Sequence, residues 1–128
     1  MSFAFTRQQH LKRQSDFLRT LKNGLRETRG PIVTHAARSP EGITKTRIGI
    51  RIGRRCGNAV LRNRIKRLLR EAFRLTQHDW SAPFDLVITV QPHEPMELAD
   101  YQAILAKVAT KVVQRTIARE QRKSPGQT

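Results

Sequence analysis

Cysteine is almost absent from this sequence, since Cys56 is the only one in 128 residues. A lone cysteine cannot form an intramolecular disulfide, so the chain shows no adaptation to an oxidising compartment. The four histidines lack the mutual spacing of metal ligands, and one cysteine cannot complete a zinc knuckle with them. We therefore expect the protein to hold no metal ion, and we interpret Cys56 as a small buried side chain.

Long hydrophobic runs are also missing. The segment from Met1 to His10 lacks the apolar core of a signal peptide, and no apolar run approaches the length that spans a bilayer. Aromatic residues make up only 5% of the chain, which disfavours a cationic protein that binds membrane surfaces through exposed aromatic side chains. These absences predict a cytoplasmic protein without a membrane partner.

Acidic residues are scarce, because ten Asp plus Glu stand against 25 Lys plus Arg, for a formal net charge of +15. The ten acids are scattered and form no paired-carboxylate motif of the kind that holds catalytic metal ions. A glycine-rich phosphate loop and a dinucleotide fingerprint are absent as well. We therefore expect no catalytic residues and no small-molecule ligand. The excess positive charge favours a polyanionic partner, above all a nucleic acid.

The positive charge is concentrated in residues 57–74. Apolar residues recur there at helical spacing on one face, and basic residues gather on the opposite face. Asn58 is a suitable N-cap, and Arg54 and Arg55 lie just ahead of it, where a helix N-terminus favours anions. Like charges one turn apart repel, so we infer that a polyanion supplies the counter-charge. The polar and basic positions of this helix are Arg62, Asn63, Arg64, Lys66, Arg67, Arg70 and Arg74.

Helical and extended patterns alternate around that basic helix. The predicted first helix covers residues 10–22 or is a shorter one that begins at a cap formed by Ser15 or Asp16. The other predicted elements are a weak edge strand at 25–28, strands at 32–37, 46–52 and 84–90, and a last helix at about 96–119 that Pro95 opens. We expect the strands at 32–37 and 46–52 to pair antiparallel. No linker divides the chain. The prediction is one α+β domain over residues 1–128, with a core at about 10–119 and flexible ends.

Residues 57–74 closely resemble the Arg-Asn-Arg motif of the bacterial ribonuclease P protein subunit. The segment at residues 11–17 is similar to the N-terminal helix of that family, with Phe17 at its aromatic position. The segments before and after the motif are similar to the strands that flank it in the family. The likeness covers roughly residues 11–119, and a pattern of this length in its expected place is specific.

The resemblance implies a subunit of a ribonucleoprotein that removes the 5′ leader of precursor tRNA by Mg²⁺-dependent hydrolysis. In such a complex the catalytic RNA holds the Mg²⁺ ions, and the small basic protein binds that RNA and the leader. The resemblance also implies the element order α-β-β-β-α-β-α with a small mixed sheet. Its crossover through the central helix is left-handed, against the general right-handed rule.

Carried over by position, the resemblance places the basic helix against the catalytic RNA and Phe17 in a cleft that takes the single-stranded leader. An aromatic face stacks on any base, while arginines follow the phosphates. Two departures stand out: Leu21 replaces a second aromatic residue one turn after Phe17, and arginines replace the lysines that are common at 54 and 55. The implied RNA-binding residues are Arg54, Arg55, Asn58, Arg62, Asn63, Arg64, Lys66, Arg67, Arg70 and Arg74; those of the leader cleft are Phe17, Leu21, Arg47 and Arg51.

A different RNA-binding module is the main alternative, for instance a ribosomal or RNA-assembly protein of similar α+β build with no nuclease role. Composition alone does not exclude it, because such proteins share the strong positive charge. The Arg-Asn-Arg block argues against it. Addition of the chain to the catalytic RNA, with precursor-tRNA cleavage as the readout, distinguishes the two.

Overall fold

The elements follow one another in the order that the resemblance implies. The computed structural model describes residues 6–122, so the outermost parts of both predicted flexible ends, residues 1–5 and 123–128, lie outside the described residues. The helices and strands are α1 (Gln14–Asn23), β1 (Leu25–Arg29), β2 (Ile32–Arg38), β3 (Arg47–Ile52), α2 (Ala59–Thr76), β4 (Phe84–Val90) and α3 (Leu98–Arg122). The predicted α+β class and the small mixed sheet are confirmed.

The strand β4 forms the centre of the sheet because its sequence is almost entirely apolar. Six of its seven residues are buried, as expected for a strand that is covered on both faces. It pairs antiparallel with β2 on one side and parallel with β3 on the other. The strand order is therefore β1-β2-β4-β3, and β1 and β3 form the two edges of the sheet.

The predicted antiparallel pairing of β2 with β3 is wrong, because β4 lies between them. After β3, the helix α2 carries the chain back along the sheet, so β4 runs in the same direction as β3. The apolar β4 buries both of its faces in this central position, which a β2–β3 hairpin would deny it. The left-handed course of the β3-α2-β4 crossover stays a prediction of the resemblance.

Different helices cover the two faces of the sheet. Alternate residues of β4, including Leu86 and Ile88, join Ile48 of β3 in the core beneath α2 and α3. The intervening residues Asp85 and Val87 point to the opposite face, against which α1 packs. Two structurally distinct surfaces follow: the outer side of α2, and the part of the sheet beside α1.

The first helix is close to the shorter of its two predicted forms, and the longer form is wrong. Its first helical residue is Gln14 rather than His10, because His10 forms a β-bridge with Ile48 at the edge of β3. The Leu11 N–H donates to the Ile48 carbonyl at 2.8 Å, which keeps this segment extended. Gln9, which was predicted to belong to the mobile N-terminus, is buried with 1% of its surface exposed.

The last helix also differs from its prediction at both ends. It begins at Leu98 rather than at Pro95, after a turn in which the Met96 N–H donates to the Tyr101 hydroxyl at 3.3 Å. It continues to Arg122, so the first residues of the predicted flexible tail are helical. The chain therefore places one long helix beside α2 across the core.

Candidate nucleic-acid interface

A capping hydrogen bond fixes the N-terminus of α2. The Asn58 side-chain oxygen accepts a hydrogen bond from the Leu61 N–H at 2.9 Å, as predicted. Gly57 has a φ of 128°, in the region that favours glycine, and a Cβ there would lie 2.6 Å from the Leu61 Cδ2. This cap sets where the helix begins and so which residues face outward.

The apolar side of α2 fixes its rotation about the helix axis. Ile65, Leu69 and Ala72 are fully buried, and Phe73 has 1% of its surface exposed. Burial of a large aliphatic or aromatic side chain stabilises a protein by roughly 1.5–3 kcal/mol, so several such residues hold the helix in one orientation. The opposite side of α2 is thereby turned to solvent.

That outward side, which we call the basic face, consists of Asn63, Arg64, Lys66, Arg67 and Arg70. Lys66 is half-buried and the other four residues are exposed. Within residues 6–122, none of its four cations forms a salt bridge with a carboxylate. Cations at three- and four-residue spacing repel one another, and this repulsion is relieved when an anionic chain lies along them.

Arg62 and Arg74 border the basic face and are engaged within the protein. The Arg62 Nε donates to the Gly57 carbonyl at 3.1 Å. Arg74 pairs with Glu71, and its Nε donates to Oε2 at 3.0 Å. This hydrogen bond lowers the pKa of Glu71 and raises the pKa of Arg74. Part of the Arg74 charge is therefore already compensated.

The turn that leads from β3 into α2 extends the basic surface. Residues Arg54–Cys56 form a single 3₁₀ turn in which Arg54 and Arg55 are exposed. Cys56 on the same turn is buried, with its Sγ donating to the Val90 carbonyl at 3.4 Å, so its predicted packing role is confirmed. The two arginines lie between the N-terminus of α2 and the end of β3, and they link the basic face to the sheet edge.

A buried carboxylate holds several side chains together beneath α1, in a cluster that we call the ionic anchor. Asp85 is fully buried and accepts hydrogen bonds from the Arg47 Nε at 2.8 Å and from the Ser39 Oγ at 2.8 Å. Arg19 of α1 also pairs with Asp85, and both arginines contact Asp16. The hydrogen bond to Asp85 raises the pKa of Arg47.

Arg47 was predicted for the leader cleft, but protein carboxylates already hold it. Only 13% of its side chain is exposed, and its Nη2 lies 2.6 Å from the Asp85 Oδ2. It ties the sheet to α1 at one end of their contact. Its interaction with a leader stays a prediction.

Phe17 packs on the sheet over Gly49 of β3, which has no side chain to occupy that space. A Cβ on Gly49 would lie 2.2 Å from the Phe17 Cζ, so any side chain there would displace the ring. Phe17 is half-buried, and Leu21, one turn further along α1, is half-buried as well. Part of the Phe17 ring is thus held by the protein while the remainder reaches solvent.

The sheet beside Phe17 carries unsatisfied polar atoms, and we call this area the sheet cleft, defined by Phe17, His35, Gly49, Arg51 and Thr89. The strand register places Gly49 and His35 on either side of Val87, and Arg51 opposite Thr89. The His35 Nδ1 and the Thr89 Oγ1 are buried and have no hydrogen-bond partner within the described residues. Buried polar atoms of this kind are normally satisfied by protein, water or a ligand.

His35 and Thr89 were not among the residues predicted from the sequence. Both lie in largely apolar strands, and the alternation of each strand could have assigned them to the face opposite the core. Both residues come near Arg51 only because β4 pairs with β2 on one side and with β3 on the other. The predicted pairing of β2 with β3 was wrong and did not show this proximity. Burial first, and then the charges of Arg26 and Arg51, lower the pKa of His35.

The described residues contain no cluster of three or more His, Cys, Asp or Glu side chains that could hold a metal ion. Among residues 6–122, no helix combines the length and the apolar composition needed to cross a bilayer. What the basic face and the sheet cleft offer is charge, hydrogen-bonding groups and an aromatic surface, which are the means of binding a nucleic acid.

Comparison with known proteins agrees with this geometry. The ribonuclease P family model matches residues 5–116. The ribonuclease P protein component of Dictyoglomus thermophilum is 34% identical over 102 residues, which cover 80% of this chain and 83% of that protein. That of Staphylococcus epidermidis is 35% identical over 98 residues, which cover 77% and 84% of the two chains.

Solved structures show the same fold. The ribonuclease P protein of Staphylococcus aureus superposes with a TM-score of 0.67 at 28% identity, covering 84% of this chain and 94% of that one. The protein from Thermotoga maritima gives a TM-score of 0.70 at 25% identity, covering 80% and 96%. The alternative of a ribosomal or RNA-assembly protein finds no support in these matches. The chain belongs to the ribonuclease P protein family, with a role in tRNA 5′ processing.

Proposed function

We propose that this chain is the accessory protein of a ribonuclease P ribonucleoprotein, in which the RNA subunit carries out the cleavage of precursor tRNA. The observation that carries the proposal is the basic face of α2. Its four cations have no carboxylate partner within the described residues, although a single capped helix aligns them. An RNA chain is the partner that supplies phosphates at comparable spacing.

The basic face is proposed to bind the catalytic RNA. Arg64, Arg67 and Arg70 present planar guanidinium groups, which bind phosphate oxygens through two hydrogen bonds at once. Asn63 adds a hydrogen-bonding group between them, and Arg54 and Arg55 continue the surface past the helix N-terminus. Because the apolar side of α2 is buried, the arginines approach RNA on a rigid support.

The sheet cleft is proposed to bind the 5′ leader. The solvent-facing part of Phe17 is suited to stack on a base of any identity. The His35 Nδ1 and the Thr89 Oγ1 are buried and lack hydrogen-bond partners in the described part of the chain, so a base or a phosphate that displaces part of their cover gains a hydrogen bond. Arg51 is exposed at the edge of the cleft and adds positive charge for the backbone. Leu21 replaces an aromatic side chain with an aliphatic one, which removes one stacking surface.

The hydrolytic chemistry, and the Mg²⁺ ions that assist it, are proposed to belong to the RNA subunit. Mg²⁺ prefers an octahedral set of oxygen ligands, usually carboxylates and phosphates. The buried acid Asp85 is occupied by Arg19, Arg47 and Ser39 and is therefore committed to structure. The protein contributes substrate binding and RNA contacts, and the cytoplasm is the proposed site of action.

Reconstitution tests this proposal. The purified chain is added to its RNA subunit at low Mg²⁺ concentration, and cleavage of precursor tRNA is measured with each component alone and with both together. We expect cleavage by the RNA to increase when the protein is present, and no cleavage by the protein alone. Cleavage by the polypeptide without RNA would contradict the assignment of chemistry, and absence of stimulation would contradict the accessory role.

A further inference from the structure

A second set of cations lies on α3, away from the basic face of α2. Lys107, Lys111 and Arg115 follow one another at four-residue spacing and therefore form a stripe along one side of α3. Arg29 of the edge strand β1 lies beside this stripe. Four cations thus meet along the contact between α3 and β1.

Glu27 lies close to this stripe and is already paired. Glu27 accepts a hydrogen bond from the Arg115 Nη1 at 2.9 Å, and the same nitrogen donates to the Arg26 carbonyl at 2.8 Å. Glu27 also lies 4.0 Å from the Arg29 Nε, at the limit of an ion pair. Within residues 6–122, Lys107 and Lys111 have no carboxylate partner. Glu27 therefore leaves most of the charge on the stripe uncompensated.

A groove of about 270 Å³ separates Arg29 from the two lysines. Its floor is formed by Ala106 and Thr110, whose small side chains leave the space open. The Thr110 hydroxyl donates back to the Ala106 carbonyl at 3.2 Å, so its one donor hydrogen is already used and the cations are the groups left to bind an anion. The Arg29 Nε is buried without a hydrogen-bond partner in the described part of the chain. The groove is open to solvent and lined by cations on both sides.

The end of α3 shows how the protein neutralises a basic residue when no partner is needed. Glu120 there forms two hydrogen bonds with Arg38, from Nη2 at 2.8 Å and from Nε at 2.5 Å. This pairing lowers the pKa of Glu120 and raises the pKa of Arg38. Lys107 and Lys111 have no such acid within the described residues, so their charges remain available to a partner.

The stripe is too far from the basic face for the two surfaces to bind the same phosphates. The strand order places β1 and β3 at opposite edges of the sheet, three strand spacings apart. At about 4.8 Å per spacing, the edges are separated by roughly 14 Å. The stripe borders β1, whereas the turn that leads into α2 follows β3. No single phosphate reaches both edges, so each surface needs phosphates of its own.

We infer that the groove between α3 and β1 is a second RNA-binding surface, in which Arg29, Lys107 and Lys111 bind the phosphate backbone of an RNA segment other than the one on α2. This goes beyond the proposed function, since it makes the protein a bridge between two segments of the ribonucleoprotein. RNA is the partner because the family assignment already supplies it and because Arg29, Lys107 and Lys111 together line the groove with positive charge.

Salt-dependent binding tests the inference. Affinity of the full chain for its RNA subunit is measured over a range of salt concentrations for the wild type and for the double variant Lys107→Gln, Lys111→Gln. The matched control is Lys22→Gln, Lys45→Gln, which removes the same charge from exposed positions elsewhere. We expect the first pair to flatten the slope of log K against log salt by about 1 to 2 units, since each neutralised phosphate contributes about 0.7–0.9. The control should leave the slope close to that of the wild type.

Hydroxyl-radical footprinting of the same complexes identifies the RNA segments. The stripe variant should lose protection at one segment and keep the segment that Arg67→Ala exposes. Equal slope changes in the two lysine pairs, an unchanged slope in both, or loss of the same segment in the stripe and Arg67 variants would each overturn the inference. Stimulation of precursor-tRNA cleavage by the wild type, measured in parallel, reports on the proposed function independently.

Discussion

Arginine has opposite surroundings in the ionic anchor and on the basic face. In the anchor, Arg19 and Arg47 converge on Asp85, which is fully buried. On the basic face, Arg64 and Arg67 project from a helix and meet no carboxylate within the described residues. The first arrangement joins two parts of the protein. The arginines of the basic face remain available to bind an anion from another molecule.

The contrast shows that net charge alone does not identify a binding surface. Each arginine counts equally in the formal charge of +15, but the position of the few acids decides which arginines remain available. A buried pair is screened little by salt, whereas exposed cations are screened within about 10 Å at 0.1 M. Folding should therefore be less sensitive to salt than RNA binding.

The largest effect is expected from removing the buried acid of the ionic anchor. In Asp85→Asn, Arg19 and Arg47 lose their shared negative charge, and one of the two acceptor oxygens is replaced by an NH₂ donor. We expect the free energy of unfolding to fall by about 3 kcal/mol, at the lower end of the range for breaking a buried pair, because both arginines reach solvent. Chemical denaturation at fixed pH measures this loss.

Glu71→Gln is the matched control, since it removes one carboxylate from an exposed ion pair with Arg74. Exposed pairs contribute about 0.2–1 kcal/mol, so the free energy of unfolding should change little. Comparable losses in the two variants would show that the anchor is no more important for stability than a surface pair.

The next largest effect is expected at the sheet cleft. Phe17→Ala removes the aromatic surface that lies over Gly49. Base stacking contributes about 1–3 kcal/mol by alanine substitution, so affinity for precursor tRNA should fall by roughly tenfold or more. Affinity for mature tRNA, which has no leader, should stay unchanged. Equal losses on both substrates would remove Phe17 from leader binding.

Most of the fold followed from local patterns, but the cleft did not. The period-two isoleucines of β3 and the cap at Asn58 can be recognised within a few residues. The pairing of β4 with both β2 and β3 depends on contacts far apart in sequence, and it is this pairing that brings His35 and Thr89 toward Arg51. The buried partners of Arg47 were hidden for the same reason, because Asp85 is 38 residues away along the chain.

A smaller effect is expected from single arginines of the basic face. Arg67→Ala removes one exposed cation with no carboxylate partner in the described residues, so the free energy of unfolding should change by less than about 0.5 kcal/mol. Affinity for the RNA subunit should fall, and most strongly at low salt, where the charge of Arg67 is least screened. The slope of log K against log salt should flatten by about one unit.

Arg74→Ala is the control for Arg67→Ala, because Glu71 already compensates part of the Arg74 charge. It should flatten the salt slope less than Arg67→Ala does. An unchanged slope in Arg67→Ala would falsify its assignment to the RNA interface, and a larger change in Arg74→Ala would reverse the distinction between paired and unpaired arginines.

The smallest effect concerns protonation of His35. Burial, together with Arg26 and Arg51, lowers its pKa below 6.5, so the folded protein binds this proton less readily than the unfolded chain and loses stability as pH falls below 6.5.

A leader phosphate in the cleft would oppose the two arginines and favour the charged imidazole of His35. Precursor binding should then strengthen as pH falls from 7.5 to about 6, by at most about threefold for each half-unit rise in pKa. Affinity for mature tRNA should not gain, and His35→Gln should abolish the difference between the substrates. The same pH dependence in His35→Gln would show that a group other than His35 titrates.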